Sequence, residues 1–402
     1  MKWLFFSLSP IGGEGRGEGA RWFMVTTRVY NLRFSLPMNP RARHPTRPLF
    51  LLLMAVLLAA SWPATPGSAA ETRVPLRERL KGLPFKIAYE SYLNDNWEIL
   101  VMNADGSDPV NLTHTPKEHE HYPQVSPDGT KICFSVDQGE GRDTIRSLYV
   151  MDIDGKNRRK LVDYAREPFW TRDGKAIGYL SQEYPKFNVM DYYTVGMNFF
   201  DLATGKIGLH PNSTNLHHLY NPCFAPNGKW IMATVNAGMG FEHTTLLIEA
   251  HGDKIVNLSI PGCRAWLSPD GRQIAWGAGD YEVAVASINL ESDRPVVGSR
   301  RVRIQDQTNR VIHVDWSPDS RFLCFSRGPA GKGDPTKPGT FQGSCGLVGV
   351  HAAGWDLCVV SAERDGLLDL NHASDADYTM VTTNGCSNKE PAWFLPDRKA
   401  KN

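Results

Sequence analysis

The chain repeats one pattern six times: a short apolar or aromatic stretch, a Pro-Asp-Gly-like turn, and a β-rich run that ends in small or hydroxyl residues. The copies begin at Tyr122, Glu167, Asn221, Cys263, His313 and Glu390. Their turn residues, which are 45, 54, 43, 49 and 78 residues apart, are Asp128, Asp173, Asn227, Asp270, Asp319 and Asp397. Periods of this size are typical of repeat arrays, in which each unit buries its faces only against its neighbours.

Each repeat also contains a second pair of predicted strands. Segments such as 97–113 (WEILVMNADGSDPVNLT) and 356–370 (DLCVVSAERDGLLDL) are typical of two strands joined by a Gly-containing hairpin. One repeat is therefore four short antiparallel strands, called A (before the Pro-Asp turn), B, C and D. We expect these sheets to stack radially as the blades of a propeller, because radial stacking buries their faces and leaves only short, protected edges.

The two ends of the array predict how the ring closes. Residues 84–91 (PFKIAYES) match a B strand but have no A strand before them, whereas 390–397 (EPAWFLPD) match an A strand with no B strand after it. Pairing of 86–91 with 390–397 completes the first blade. The sequence thus predicts an all-β fold: a six-bladed β-propeller of four-stranded antiparallel blades over 84–397, with a loop insertion at 327–355 and a tail at 398–402.

The residues before the propeller are typical of an export signal. Four basic residues precede a 12-residue apolar run at 49–60, and Ser68-Ala69-Ala70 follows. These features predict a signal peptide at 38–70, starting at Met38 and cleaved after Ala70. The apolar run is short of the ~20 residues that a spanning helix needs. We expect residues 1–37 to be a start-site artefact or disordered, 71–83 to be a short linker, and the mature protein to be periplasmic or secreted, with no membrane span.

Charge and cysteine content narrow the possible partners. The net charge of +1 excludes binding to nucleic acid by charge alone. There are seven cysteines but no CxxC motif, so the sequence does not support a zinc ribbon. Cys345 and Cys386 both lie in loop-like sequence that the blade topology places on one face. They are a candidate disulfide.

The same topology predicts which face carries function. B-to-C loops and D-to-A connections leave one face of the ring, and all the long loops (182–195, 236–243 and 327–355) belong to it. Long loops on a rigid scaffold often bind ligands. We therefore expect the partner on this loop-rich face, at the mouth of the central channel.

Residues at the start of the A strands, the innermost strands, should surround that mouth. The candidate binding residues are His121, Glu167, His217, His218, Asn221, Arg264, His313 and Glu390. One hypothesis is a polar, solvated surface that contacts a partner, without catalytic residues. The other is a divalent metal held by His121, His218 and His313, with Glu167 or Glu390 as acid or base, because imidazoles and carboxylates suit transition metals.

Several motifs resemble the TolB-like, WD-repeat-like propeller family. They are the SPDG turns at Ser126 and Ser268, VMNADG from Val101 and NLT from Asn111. The resemblance implies an exported, monomeric, non-catalytic propeller that binds an envelope or periplasmic protein. A more distant resemblance, to oligogalacturonate lyases with channel-mouth histidines, implies the alternative: a metal-dependent carbohydrate lyase or hydrolase acting on an oligosaccharide.

Overall fold

The structure is a computed structural model that describes residues 73–396. The predicted signal peptide, the residues before it and the 398–402 tail lie outside this range. Within the predicted linker, helix α1 spans Leu76–Leu80. Its Leu76 and Leu80 side chains are buried against the propeller, and the Leu76 amide donates a 2.7 Å hydrogen bond to the Asp375 carbonyl. This helix is therefore anchored to the ring.

The described strands form six sheets, one for each predicted repeat. The first contains β1 (Lys86–Leu93), β2 (Asn96–Asn103) and β3 (Val110–Asn111). The second contains β4 (His119–Val125), β5 (Lys131–Gln138), β6 (Ile145–Asp152) and β7 (Arg159–Asp163). The third contains β8 (Ala165–Trp170), β9 (Ala176–Gln182), β10 (Thr194–Asp201) and β11 (Ile207–Leu209). The fourth contains β12 (Leu219–Phe224), β13 (Trp230–Gly238), β14 (Phe241–Glu249) and β15 (Ile255–Asn257).

The last two repeats contain the remaining strands. The fifth contains β16 (Cys263–Leu267), β17 (Gln273–Gly279), β18 (Glu282–Ile288) and β19 (Val297–Gln305). The sixth contains β20 (Asn309–Trp316), β21 (Phe322–Pro329) and β22 (Asp356–Ser361), and then come β23 (Gly366–Asp369), β24 (Tyr378–Met380) and β25 (Ser387–Phe394). Two single-turn 3-10 helices, Gly141–Asp143 and Ser213–Asn215, lie in connections.

Ring closure occurs as predicted. β25 pairs antiparallel with β1, with Lys86 opposite Phe394 and Tyr92 opposite Ser387. The C-terminal strand is thus the innermost strand of the first blade, which has the order β25-β1-β2-β3. The six-bladed, all-β prediction is confirmed.

The A-to-B turns also have the predicted chemistry. In the first SPDG copy, Gly129 has φ of +72° and its amide donates to the Ser126 carbonyl at 2.8 Å. The Ser126 hydroxyl donates to Asp128 Oδ1 at 2.5 Å. Glycine is favoured here because it adopts positive φ without a steric penalty.

One predicted strand pairing is wrong. The segment 356–370 was expected to form a C–D hairpin within the sixth blade, but β23 pairs in parallel with β19 of the fifth blade. The outer strand of the sixth blade is instead β24, which pairs antiparallel with β22. The fifth sheet therefore has five strands. Pairing with β19 is favoured because it places Leu368 in the core between the two blades.

The hydrophobic core lies between the blades. Each of six buried clusters combines residues from two neighbouring blades. For example, Trp230 of the fourth blade and Trp276 of the fifth are less than 2% exposed and belong to the same cluster. Each blade thus depends on both neighbours for its burial, as expected for a closed ring.

Two long loops occupy the loop-rich face: 183–193 in the third blade and 330–355 in the sixth. The third predicted loop, 236–243, is instead mostly strand, since β13 extends to Gly238 and β14 begins at Phe241. Among the described residues, no helix has the length and apolar composition needed to cross a membrane.

Candidate functional site

One residue in each innermost strand has left-handed backbone geometry. These residues, with φ between 50° and 56°, are Tyr122, Glu167, Asn221, Arg264, His313 and Glu390. In each blade the pairing register with the B strand shifts at this point, which marks a β-bulge. The equivalent bulges place six side chains at equivalent positions around the channel. We call this set the bulge ring.

Five of the eight predicted binding residues belong to the bulge ring. Tyr122 was missed, although its position before Pro123 matches Glu167-Pro168 in the next repeat and was a usable signal. His121 lies directly before Tyr122 and is buried near the ring. His217 and His218 lie outside the ring, just before β12.

Ring side chains contact one another across the channel. The Tyr122 hydroxyl donates to Asn221 Oδ1 at 3.1 Å, and the backbone amide of Asn221 donates to Glu167 Oε2 at 3.0 Å. Arg264 Nη1 donates to Glu390 Oε1 at 3.0 Å, and His313 Nε2 lies 3.1 Å from the same oxygen. All of these residues are at most 5% exposed.

Charged residues from elsewhere in the fold extend this network. Arg264 forms a second ion pair with Asp191 from the loop 183–193. His121 lies between two carboxylates, with Nδ1 3.6 Å from Glu90 Oε2 and Nε2 3.5 Å from Asp137 Oδ2. Asp137 also accepts two 2.7 Å hydrogen bonds from Arg146. Sequence reasoning missed Glu90, Asp137, Arg146 and Asp191 because their contacts join distant segments and no repeat position marks them.

Burial changes the protonation of two ring carboxylates. Burial, partly offset by Arg264, raises the pKa of Glu390 to about 8. Burial and the neighbouring Asp191 carboxylate raise the pKa of Glu167 to about 7. Desolvation penalises the charged form of a buried acid. Both groups therefore take up protons near neutral pH.

The two long loops close the mouth of the channel. Basic side chains near the ring donate to loop carbonyls: Arg166 to Met190 at 2.9 Å, and Lys389 to Leu347 at 2.8 Å and Val350 at 2.9 Å. His313 Nε2 lies 2.8 Å from the Gly346 carbonyl oxygen.

The loops also contact each other. The rings of Phe187 and Phe341 lie 5.0 Å apart, and the Arg146 guanidinium is 5.1 Å from the Phe187 ring centroid. The expected polar, solvated surface at the channel mouth is therefore a buried polar core covered by the loops.

The structure does not bring the three proposed metal ligands together. His121 is paired with Glu90 and Asp137, whereas His313 contacts Glu390. His218 Nε2 lies 2.9 Å from Glu183, and both side chains are half-buried. No group of three or more His, Cys, Asp or Glu side chains in residues 73–396 has an arrangement suited to a metal ion. His217 Nε2 lies 3.2 Å from the Thr214 carbonyl oxygen.

The candidate disulfide is not formed, and all seven cysteines are free. The buried Cys345 thiol donates to the Pro329 carbonyl at 3.1 Å. Cys386 instead lies beside Asn384, with its sulfur 3.9 Å from the Asn384 carbonyl oxygen. The two side chains contact different segments although both belong to the loop-rich face.

Aromatic side chains gather on the outside of this face. Tyr184 and Tyr193 pack edge to face with centroids 5.3 Å apart, and Tyr192 lies 4.8 Å from Tyr193. Tyr193 is also 6.0 Å from His218, whose ring is held by Glu183. Tyr184 is 47% exposed. We call these five residues the tyrosine patch.

No protein-family model matches the chain, and no curated protein matches it. Several solved structures do match the chain. TolB from Acinetobacter baumannii is 16% identical, with a TM-score of 0.51 over 77% of this chain and 66% of that one. A chain of a nidogen/laminin complex is 8% identical, with a TM-score of 0.50 over 78% of this chain and 99% of that one. Oligogalacturonate lyase from Vibrio parahaemolyticus is 11% identical, with a TM-score of 0.43 over 70% and 73% of the two chains.

The chain spans just under two thirds of TolB's length. At such low identity a structural likeness identifies the architecture and leaves the activity open, because propellers carry many functions. The closed ring, the bulged inner strands and the match to TolB lead to one conclusion: this chain has a six-bladed, TolB-like β-propeller fold.

Proposed function

We propose that the protein is an exported, non-catalytic binding propeller that holds an envelope or periplasmic protein on its loop-rich face. The observation that carries this proposal is the tyrosine patch, which lies outside a channel mouth that the protein's own loops have filled. Because those loops occupy the donors of Arg166, His313 and Lys389, a partner binds over the loops without entering the channel.

The chemistry of the patch suits a protein partner. Tyrosine is enriched in protein interfaces, since its rigid ring offers a large contact area and its hydroxyl remains able to hydrogen-bond. Exposed apolar surface often marks an interaction site, and in this patch Tyr184 is exposed while Tyr192 and Tyr193 are half-buried. Glu183 and His218 add a polar rim that helps to orient the partner. One of the matched propellers comes from a complex of two proteins, nidogen and laminin.

Capture from envelope extract tests the proposal. Immobilised wild-type protein should retain a defined partner, and a Tyr184→Ser, Tyr193→Ser variant should bind the purified partner at least about tenfold more weakly, since central aromatic residues often contribute 2 kcal/mol or more to binding. Tyr281→Ser is the matched control, because Tyr281 is 41% exposed on the fifth blade of the same face. Equal binding by the patch variant and the wild type would contradict the proposal.

A further inference from the structure

A cavity of about 600 Å³ opens on the loop-rich face, and none of its lining residues belongs to the tyrosine patch. One wall comes from the second blade and includes Lys117, His119 and the segment 139–141. The other wall is the segment 335–341 of the insertion. Cavities of 300–1,000 Å³ are typical of small-molecule sites.

A hydrogen bond from the first blade fixes the insertion wall in place: the Tyr92 hydroxyl donates to the Pro338 carbonyl at 2.6 Å. Lys337 Nζ also lies 3.7 Å from Asp95 Oδ1, but this exposed pair adds little to the wall's stability. The cavity therefore has two walls that are held independently of any ligand. Prearranged walls reduce the cost of ordering a site when a ligand binds.

The charges of the lining favour an anion. Lys117 lines one wall and Lys337 the other, and Lys117 has no ion-pair partner among the described side chains. The Lys337–Asp95 pair is solvent-exposed and long, and such pairs contribute little. Of the two acids in the lining, Asp137 is neutralised by its two hydrogen bonds to Arg146, which leaves only Glu140 unpaired.

His119 adds a neutral hydrogen-bonding group to the cavity lining. The Trp97 amide donates to His119 Nδ1 at 3.4 Å, so the neutral imidazole carries its proton on Nε2 and can donate from there. Burial, with a contribution from His121, lowers the pKa of His119 to about 4, which keeps the ring neutral.

Gly339 allows the insertion to approach this ring closely. It has φ of +67°, and a Cβ atom at this position would lie 1.8 Å from His119 Cε1. At Gly339 the wall is therefore formed by backbone atoms, because any side chain there would collide with the His119 imidazole.

We propose that this cavity binds a small anion whose carboxylate or phosphate group lies between Lys117 and Lys337. This site differs from the protein-binding surface proposed above in position and in ligand class, so either proposal can fail alone. The two lysines supply charge, and the backbone-lined wall leaves space for the remainder of a small organic acid or phosphate ester.

Calorimetric titration of the full chain tests the site with three matched probes: glycerate, glycerol 3-phosphate and glycerol. We expect saturable binding of at least one anion, weakened by added salt, and none of glycerol. Binding of glycerate alone would identify a carboxylate ligand, and binding of glycerol 3-phosphate alone a phosphate ester. Failure of both anions to bind at about 10 mM, an affinity too weak for a specific site, would overturn the proposal.

Substitution of the two lysines tests whether they bind the anion. Lys117→Gln combined with Lys337→Gln should weaken the anion's affinity at least about tenfold, equivalent to ~1.4 kcal/mol. Both lysines are exposed, so the melting temperature should not change. Lys175→Gln, at a lysine 79% exposed on the opposite face, is the matched control. Unchanged affinity in the double variant would also overturn the proposal.

Discussion

The residues of the bulge ring, which line the interior of the channel, have left-handed backbone conformations. A non-glycine residue with positive φ is strained by about 1–3 kcal/mol, and the structure contains one in every inner strand. Compensation comes from hydrogen bonds to the strained backbone: the Tyr122 amide donates to Glu90 at 2.9 Å, and the Arg264 amide to Thr234 at 3.0 Å. The geometry that orients the ring side chains is therefore stabilised by neighbouring blades.

The sequence identified most of these residues but could not predict their environment. Glu167, Asn221 and Glu390 were recognisable because each precedes a proline at the same place in its repeat. Their burial depends on the loops 183–193 and 330–355, whose contacts cross the ring and follow no repeat period. A local pattern therefore predicted which residues face the channel, but could not show that the channel mouth is closed.

Asp315 offers a test of this buried environment. Its Oδ2 atom accepts a 2.6 Å hydrogen bond from the Trp393 amide, and burial raises the pKa of its carboxyl group to about 7. Between the unfolded value near 4 and about 7, the folded protein keeps a proton that the unfolded chain releases. Wild-type stability therefore falls as pH rises through this window and levels off above it, by up to about 1.4 kcal/mol per pH unit.

Urea unfolding at several pH values measures this effect against Asp315→Asn. The free energy of unfolding of the wild type, relative to the variant, should decrease between pH 5 and 7 and stay constant above about pH 8. Comparing the two proteins cancels contributions from histidines. Asp293→Asn, at a side chain that is 93% exposed, should match the wild type at every pH. A constant difference between wild type and Asp315→Asn would show that Asp315 ionises normally.

At the scale of elements, local patterns predicted the A–B turns correctly and one outer strand incorrectly. The segment 356–370 contains a plausible hairpin turn, but β23 crosses to the edge of β19. Strand pairing depends on which free edge is near and on which residues can be buried, and neither is visible within a 15-residue window. Leu368 decides the outcome, because it is 4% exposed in the core between the fifth and sixth blades.

Neighbouring leucines in β23 provide a matched pair of substitutions. Leu368→Ala should lower the free energy of unfolding by about 2–4 kcal/mol, since it removes buried methyl groups and leaves a cavity. Leu367→Ala, at a side chain that is 54% exposed, should change it by less than about 0.5 kcal/mol. Urea unfolding measures both. Equal effects would mean that β23 does not pack against the fifth blade as described.

Pairing between β23 and β19 can be tested directly by a double-mutant cycle. Ile304 of β19 lies opposite Leu368 in the parallel register and is fully buried. Leu368→Ala and Ile304→Val should therefore be non-additive by at least about 0.5 kcal/mol. Additive effects would show that the two side chains are not in contact.

For the whole molecule, closure of the ring is the property on which all blades depend. Six clusters join six pairs of neighbouring blades, and β25 completes the cluster between the sixth and first blades. Trp393 of β25 belongs to that cluster, and Phe394 belongs to the next one. Both ends of the array were predictable from the sequence because an unpaired A strand and an unpaired B strand complete each other.

Deletion of residues 387–402 should open the ring. It removes the inner strand of the first blade, including Trp393 and Phe394, whose burial is worth several kcal/mol each. A domain is typically stable by only 5–15 kcal/mol, so the melting temperature followed by circular dichroism should fall by more than about 10 °C. Deletion of 397–402 is the control, since β25 ends at Phe394. If the melting temperature of the 387–402 deletion variant were unchanged, β25 would not close the ring.

Non-covalent closure also predicts complementation in trans. A synthetic peptide of residues 387–396 should bind the opened ring and raise its melting temperature as the peptide concentration increases, because a ligand that binds only the folded state stabilises it by mass action. A peptide in which the Trp393 and Phe394 positions are alanine should fail, since the strand would still offer its backbone to β1 but would fill neither neighbouring cluster. Equal rescue by both peptides would show that backbone pairing alone closes the ring, and that the inter-blade cores contribute little to it.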